Sequence, residues 1–443
     1  MHDIPLLPDE LVVTDFGPRR IPSPLELPPA SVEATGSFVA PGTGIRVSVE
    51  VGPEGPGDEP PLFFEKAGPR ELLFFGAKEV RAAIVTCGGL CPGTNNVIRS
   101  VFYELYHRYG VKDVLGIRYG FQGLNPAVGE PPVPLTSDFV RRIHRFGGTV
   151  LGSSRGAQDT EVMADYLEQL EVDMLFCIGG DGTQRGAHAL AEALAKRSRP
   201  CAVVGIPKTI DNDIPFVWRS FGFFTALDQA REVIQGAHVE ANGARNGVGL
   251  VKVMGRDAGF IAAGATLASQ EVNYCLVPEV PFELKGPGGF LEVLEKRLVS
   301  RQHAVVVVAE GAGQHLFEDE SVDRHDASGN RQHRNIGLFL RQRIREHFAE
   351  RGIPMVLKYF DPSYTIRSVP ANTDDALLCD GLARNAVHAA MAGKTDVLIG
   401  FWHGVFVHVP IPAVVRREKT MEPDGGLWMG VLENTGQPAR MGP

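Results

Sequence analysis

The sequence predicts an α/β protein: two doubly wound parallel-sheet lobes with the active site between them, preceded by an N-terminal extension. Three observations predict it. From about residue 81 to residue 400, short apolar runs alternate with stretches of helical spacing. Several of the runs end in glycine loops, the tight turns that a strand-to-helix connection needs. At 443 residues the chain exceeds what one small core organises.

Residues 1–80 are the extension, rich in proline (Pro5, Pro8, Pro18, Pro22, Pro24, Pro28, Pro29) and carrying the run Gly52-Pro53-Glu54-Gly55-Pro56-Gly57. A short strand is expected at 44–51. Strand 82–86, a glycine loop and helix 95–109 then open the first lobe. Strand 113–117, helices 137–146 and 161–170, strand 174–178, the alanine-rich helix 184–196 and strand 201–206 continue it. The second lobe, 223–371, reads as helix 224–237, strand 248–253, helix 258–268, strand 274–277, helix 290–299, strand 304–309 and helix 337–350. The polar segment 318–334 reads as an exposed loop. Helix 374–392 and strand 397–400 return to the first lobe, so that lobe comprises 81–222 plus about 372–400, with 401–443 a C-terminal segment.

The composition excludes several roles. A net charge of −9 disfavours nucleic acid or an anionic membrane as partner, so bound phosphates need locally concentrated cations. The start, with Asp3, Asp9 and Glu10, lacks the basic and apolar regions of a signal peptide, and the apolar runs are strand-length. The six cysteines sit mostly in apolar runs, which reads as buried free thiols in a reducing, cytoplasmic setting. No His/Cys cluster completes a zinc site around Cys87 and Cys91.

Three loops carry chemistry. Gly88-Gly89-Leu90-Cys91-Pro92-Gly93 follows a strand and opens a helix, the setting in which backbone N–H groups face an anion. Gly179-Gly180-Asp181-Gly182-Thr183 lets a phosphate chain lie against the backbone while Asp181 aims a carboxylate at a bridging magnesium ion. A tight turn and a structural aspartate are the plain alternatives for these two. In Pro207-Lys208-Thr209-Ile210-Asp211-Asn212-Asp213, extended geometry directs Asp211 and Asp213 to the same side, and Lys208 with magnesium offsets their repulsion. One carboxylate then acts as base toward a hydroxyl while the other holds metal or orients its partner; the plain alternative is a polar turn capping a helix.

In this order, and followed by Met254-Gly255-Arg256-Asp257, these segments resemble the phosphofructokinase family over about residues 81–400. The resemblance implies a kinase acting on fructose 6-phosphate with ATP and Mg2+, assembled as a homotetramer or homodimer. It implies that Gly88, Arg155, Gly156, Gly180, Asp181, Gly182 and Thr183 bind the nucleotide, with Asp181 on the metal. Asp211 is then the base for the sugar C1 hydroxyl, supported by Lys208 and Asp213, and Thr209 steadies the transferred phosphoryl group. Thr209, Ile210, Asp211, Met254, Gly255, Arg256, Glu310, Lys358, Tyr364 and Arg367 are implied at the sugar phosphate.

Within the family, pyrophosphate users are associated with aspartate at the position of Gly182 and lysine at that of Lys208, so this chain is mixed. Glycine leaves room for the nucleotide α-phosphate that an aspartate would occupy and repel, which favours ATP. The same pair, the Thr86-to-Gly93 segment and the extension resemble the plant- and trypanosome-like ATP-dependent branch. Tyr364 and Lys358 stand where the bacterial pattern has histidine and arginine, the arginine that a neighbouring subunit contributes there has no counterpart near Gly247, and the effector residues have no match, so bacterial-style allostery does not follow from the resemblance. The open alternatives are a pyrophosphate-dependent enzyme and a catalytically silent sugar-phosphate sensor. Lipid and NAD kinases share Gly-Gly-Asp-Gly-Thr but lack the Thr-Ile-Asp-Asn-Asp and Met-Gly-Arg segments.

Overall fold

A computed structural model describes residues 6–30, 36–53, 60–197, 199–317 and 333–442. The expected loop 318–334, apart from its last two residues, and Glu54 to Gly57 of the glycine–proline run lie outside them. The chain divides into two compact units: Met1–Thr209, Ile214–Gly222 and Pro370–Glu418 form one, and Ile210–Asp213, Phe223–Val369 and Lys419–Pro443 the other.

The first unit is built on a nine-stranded sheet. Its spatial order is Gly44–Arg46, Phe63–Lys66, Val405–Pro410, Val397–Trp402, Ala202–Pro207, Met174–Gly179, Arg81–Thr86, Asp113–Ile117 and Val133–Pro134. The five strands from Val397–Trp402 to Asp113–Ile117 are parallel. Both sheet faces demand apolar side chains there, and Met174–Gly179 and Ala202–Pro207 are buried at every position. The flanking strands are antiparallel, so the sheet is mixed.

Two departures from the expected helices go with a local contact. Helix 137–146 shrinks to Ser137–Val140 followed by a tighter turn at Ile143–Arg145. The break delivers the Phe146 carbonyl to Asn95 Nδ2 at 3.0 Å. Helix 95–109 begins at Thr94 and widens into a π-helical turn over Glu104–Tyr109, whose end places Tyr109 OH 2.8 Å from His388 Nδ1. The strand expected at 44–51 narrows to Gly44–Arg46.

The extension joins this sheet rather than trailing from it. On Phe63–Lys66, Glu65 reaches Arg70 Nη2 and Lys394 Nζ, each at 2.7 Å, and both cationic side chains are almost fully buried. Burial pushes the Glu65 carboxyl up, but His408 (Nδ1 at 3.5 Å) and the Lys394 ammonium outweigh it and hold the group well below the usual carboxylate range. A depressed folded pKa contributes stability above the ordinary Glu pKa and loses it as pH falls through the folded value. Glu65→Gln strands two buried cations. Urea unfolding at neutral pH is expected to lose about 3 kcal/mol, and the variant's deficit should shrink in acid.

The second unit holds a four-stranded parallel sheet, ordered Tyr274–Leu276, His303–Ala309, Gly247–Val253, Val356–Phe360. Its core gathers Val248, Leu250, Val306 and Val308 with Phe290, Leu294 and Leu340 from the helices Phe290–Arg301 and Ile336–Glu350. The helix Gly426–Thr435 also belongs here, its Gly430 approaching Leu267 of the helix Phe260–Ser269. All six cysteines are free and buried. Among the described residues no helix is long and apolar enough to cross a membrane.

Candidate active site

In the first unit, adjacent parallel strands end together, with Thr86 opposite Ile178 and Gly179 opposite Pro207. Their loops therefore meet at the carboxyl edge, where α/β sheets take ligands. Gly88 N donates to Ser154 O at 3.1 Å, and Ser153 Oγ donates to Gly88 O at 2.6 Å. These bonds bring Arg155 and Gly156 beside the first glycine loop, with Arg155 exposed. Lys208 N donates to Gly179 O at 3.0 Å while its Nζ donates to Gly89 O at 2.6 Å, tying the loops at 88–89 and 179–183 together.

Gly180 precedes the helix Asp181–Ala195, so Asp181, Gly182 and Thr183 form its first turn. That end carries the positive pole of the helix and unsatisfied N–H groups. Asp181 pairs with Arg185 one turn on and keeps 42% of its side chain exposed. A Cβ built on Gly182 meets nothing within 4 Å, so the space beside it is open. Among the described residues no group of three or more His, Cys, Asp or Glu side chains forms a metal cage. A single reachable carboxylate is nevertheless the usual protein share of a magnesium–phosphate site.

In the second unit, Val253 lies opposite Ala309, so Met254 to Arg256 and Glu310 leave the sheet side by side. Glu310 N donates to Val253 O at 3.0 Å and Gly311 N to Gly255 O at 3.1 Å. A Cβ at Gly311 would stand 1.7 Å from Arg256 O, so only glycine permits this approach. Asp211, with its Oδ1 sealed from solvent, belongs to this unit. Burial, then the charges of Asp213 and Glu310, push its carboxyl well above the usual range, against the pull of Arg256. Arg256 Nε also pairs with Asp257 Oδ2 at 2.7 Å. His333, 3.5 Å away, and then Arg256 hold Asp257 down to about 2.

The expected extended run from Asp211 to Asp213 is corrected by the structure: Asn212 between them is left-handed, with φ 56°. The two carboxylates still act on each other, through a turn instead of strand alternation. Thr209 belongs with the first unit, where its carbonyl accepts from Ser220 Oγ at 2.7 Å, and Ile210 is buried in the second.

Lys358 lies within the strand Val356–Phe360, exposed, 3.7 Å from Glu240 Oε2. Tyr364 is 75% exposed, with the Arg367 guanidinium 5.0 Å from its ring centre.

The match to known proteins follows this geometry. The phosphofructokinase family model covers residues 81–390. The chain belongs to the phosphofructokinase family. A relative from Borreliella burgdorferi, named an ATP-dependent 6-phosphofructokinase, is 51% identical over 86% of this chain and 86% of its own. An Arabidopsis thaliana ATP-dependent 6-phosphofructokinase 7 is 44% identical over 100% of this chain and 90% of its own. A Trypanosoma cruzi ATP-dependent 6-phosphofructokinase is 44% identical over 85% of this chain and 77% of its own. Among solved structures, a pyrophosphate-dependent phosphofructokinase from Marinobacter aquaeolei superposes with a TM-score of 0.65, covering 82% of this chain and 93% of that one. At 20% identity it speaks for the phosphofructokinase fold alone.

Sequence reading of this phosphofructokinase missed the pair Lys252–Asp361, 2.9 Å apart. Lys252 sits two residues before Met254. Asp361 opens the Tyr364–Arg367 segment and accepts from Ser363 Oγ at 2.5 Å. The ion pair therefore fixes two of the proposed sugar-phosphate segments to each other. Lys252→Met leaves Asp361 partly solvated. It is expected to raise KM for fructose 6-phosphate about 10-fold with kcat changed less than about 3-fold, read by steady-state kinetics.

Proposed function

We propose that this chain transfers the γ-phosphoryl group of ATP to the C1 hydroxyl of fructose 6-phosphate, giving fructose 1,6-bisphosphate and ADP. The observation that carries the reading is the Asp211 carboxyl: its Oδ1 sealed from solvent, raised in pKa by burial, and acted on by the charges of Arg256 and Glu310. A base poised toward neutrality is what abstraction of a sugar hydroxyl proton asks for. Phosphoryl transfer otherwise needs positioning and charge, and arginines supply both.

In this reading the first unit binds the nucleotide through Gly88, Arg155, Gly156 and Gly180 to Thr183, with residues 81–222 and about 372–400 as the nucleotide lobe. Residues 223–371 form the sugar-phosphate lobe. There Met254, Gly255, Arg256, Glu310, Lys358, Tyr364 and Arg367 hold the acceptor, and Ile210 and Thr209 flank Asp211. Lys208 and Asp213 support the transfer. Asp181 holds Mg2+, which, when bound with the donor, spreads the charge of the transferring oxygens. The enzyme is read as a cytoplasmic homotetramer or homodimer, with effector control a further expectation.

Gly182 and the names of the relatives favour ATP. Lys208 alone keeps pyrophosphate as the second reading. Steady-state rates with fructose 6-phosphate decide, using each donor with and without Mg2+. Turnover with ATP and Mg2+, and little with pyrophosphate, is expected. Turnover with pyrophosphate alone would move the chain to the second reading, and none with either donor would make it a sensor.

A further inference from the structure

We propose that Gln184, buried in the helix Asp181–Ala195, is a positioning residue of the donor site: its side-chain amide holds the Gly179 carbonyl and so aims the Gly180 N–H at the phosphate chain of the nucleotide. The inference rests on the reading of Gly180 to Thr183 as donor-binding residues.

The geometry lies within the first unit. Gly179 ends the strand Met174–Gly179, and Gly180 caps the helix that follows. The Gly179 carbonyl accepts twice: from Gln184 Nε2 at 3.0 Å and from Lys208 N at 3.0 Å. A carbonyl oxygen has two lone pairs, so this one is saturated. Both donors come from buried residues. The peptide between Gly179 and Gly180 is trans, and in a trans peptide the N–H points opposite to the C=O. Two buried donors drawing the carbonyl inward therefore turn the Gly180 N–H outward. The burial follows the same direction, with Gly179 buried and Gly180 half-buried. Among the described residues no acceptor takes that N–H. The Gly180 carbonyl, in contrast, is used: Thr183 N and Gln184 N donate to it at 2.9 and 3.0 Å.

Packing alone does not account for the residue. Gln184 is fully buried, and its Oε1, sealed from solvent, has no hydrogen-bond partner among the described residues. A buried amide oxygen without a partner costs stability, which an apolar side chain of the same length avoids. The neighbouring strand Ala202–Pro207 leaves room for the amide at Gly205, where a Cβ would stand 2.2 Å from Oε1. What the amide contributes is the Nε2 bond to Gly179. That bond ties the end of the strand to the first turns of the helix, across the loop proposed to bind the donor.

The Gly180 N–H meets the phosphate chain both before and during transfer. Loss of its aim therefore weakens donor binding more than the chemical step.

Gln184→Met keeps the length of the side chain and removes the donor. The readout is steady-state kinetics with each substrate varied in turn, with thermal unfolding alongside. KM for ATP is expected to rise about 10-fold, with kcat and KM for fructose 6-phosphate within about 3-fold of the parent. Melting is expected at the parent's temperature or above, because the unpaired Oε1 leaves with the lost bond and Gly179 O keeps Lys208 N. Gln184→Leu is expected to behave in the same way. A folded Gln184→Met with the parent's KM for ATP overturns the proposal, whatever its melting temperature. So does an equal rise in both KM values. Loss of folding in the Met and Leu variants together assigns Gln184 to packing and also overturns it. Failure of the underlying reading looks different: the parent does not turn over ATP, or Gly182→Asp keeps the parent's KM for ATP.

Discussion

Asp211→Asn is expected to lower kcat by about 10²-fold or more, with the fold intact. Asparagine preserves the shape of the side chain and removes its capacity to accept a proton. The structure also predicts that stability will not suffer. The Asp211 carboxyl is raised by burial and by Asp213 and Glu310, so its ionised form is disfavoured in the folded state. A carboxylate with a raised folded pKa costs stability as pH rises above its unfolded value. The variant should therefore unfold at the parent's temperature or higher near pH 7, and circular dichroism melts read this. Loss of rate with equal or gained stability separates a catalytic role from a structural one. The same charges set the pH profile: the acid limb of kcat/KM should lie above the ordinary aspartate range. Asp213→Asn removes a charge that raises Asp211, so the limb in that variant should move down.

Gly182→Asp carries the second large effect. Gly182 lies in the first helical turn after Gly180, and a Cβ there meets no atom within 4 Å. An aspartate at a helix N-terminus is itself favourable, so folding is expected to be retained. In the proposed donor site the new carboxylate stands where the nucleotide α-phosphate lies. Two anions about 4 Å apart repel by roughly 1–4 kcal/mol, depending on local screening. A loss of about 10²-fold in kcat/KM for ATP follows, with KM for fructose 6-phosphate changed only a few-fold. Parallel kinetics on the two substrates check it.

Most parallel strands were legible in the sequence to within about two residues, because each is a continuous apolar run closed by glycine or a polar turn, but Val356–Phe360, interrupted by Lys358, was not. Their order was not, since pairing joins residues far apart in the chain. Val405–Pro410 illustrates this: His403 and Gly404, with φ 46° and 82°, make a two-residue hairpin turn after Val397–Trp402. That turn lies past residue 400, where the alternation of apolar runs and helical stretches ends. The strand then recruits Phe63–Lys66 of the extension, a pairing that no local pattern announces. At the candidate site, the glycine loops and the Asp211 segment stood out because phosphate and proton chemistry demand unusual residues at fixed spacing. The left-handed Asn212 and Lys252 did not. A lysine on a strand looks like solvated surface until the fold brings Asp361 to it.

The central claim is a transfer from ATP to the C1 oxygen of fructose 6-phosphate, and phosphorus NMR of the reaction mixture tests it most directly. With ATP, Mg2+ and fructose 6-phosphate, one new phosphomonoester resonance at the C1 position of fructose 1,6-bisphosphate should grow in step with ADP. A phosphate appearing at another position, or ATP consumed to free phosphate without a sugar bisphosphate, would contradict it.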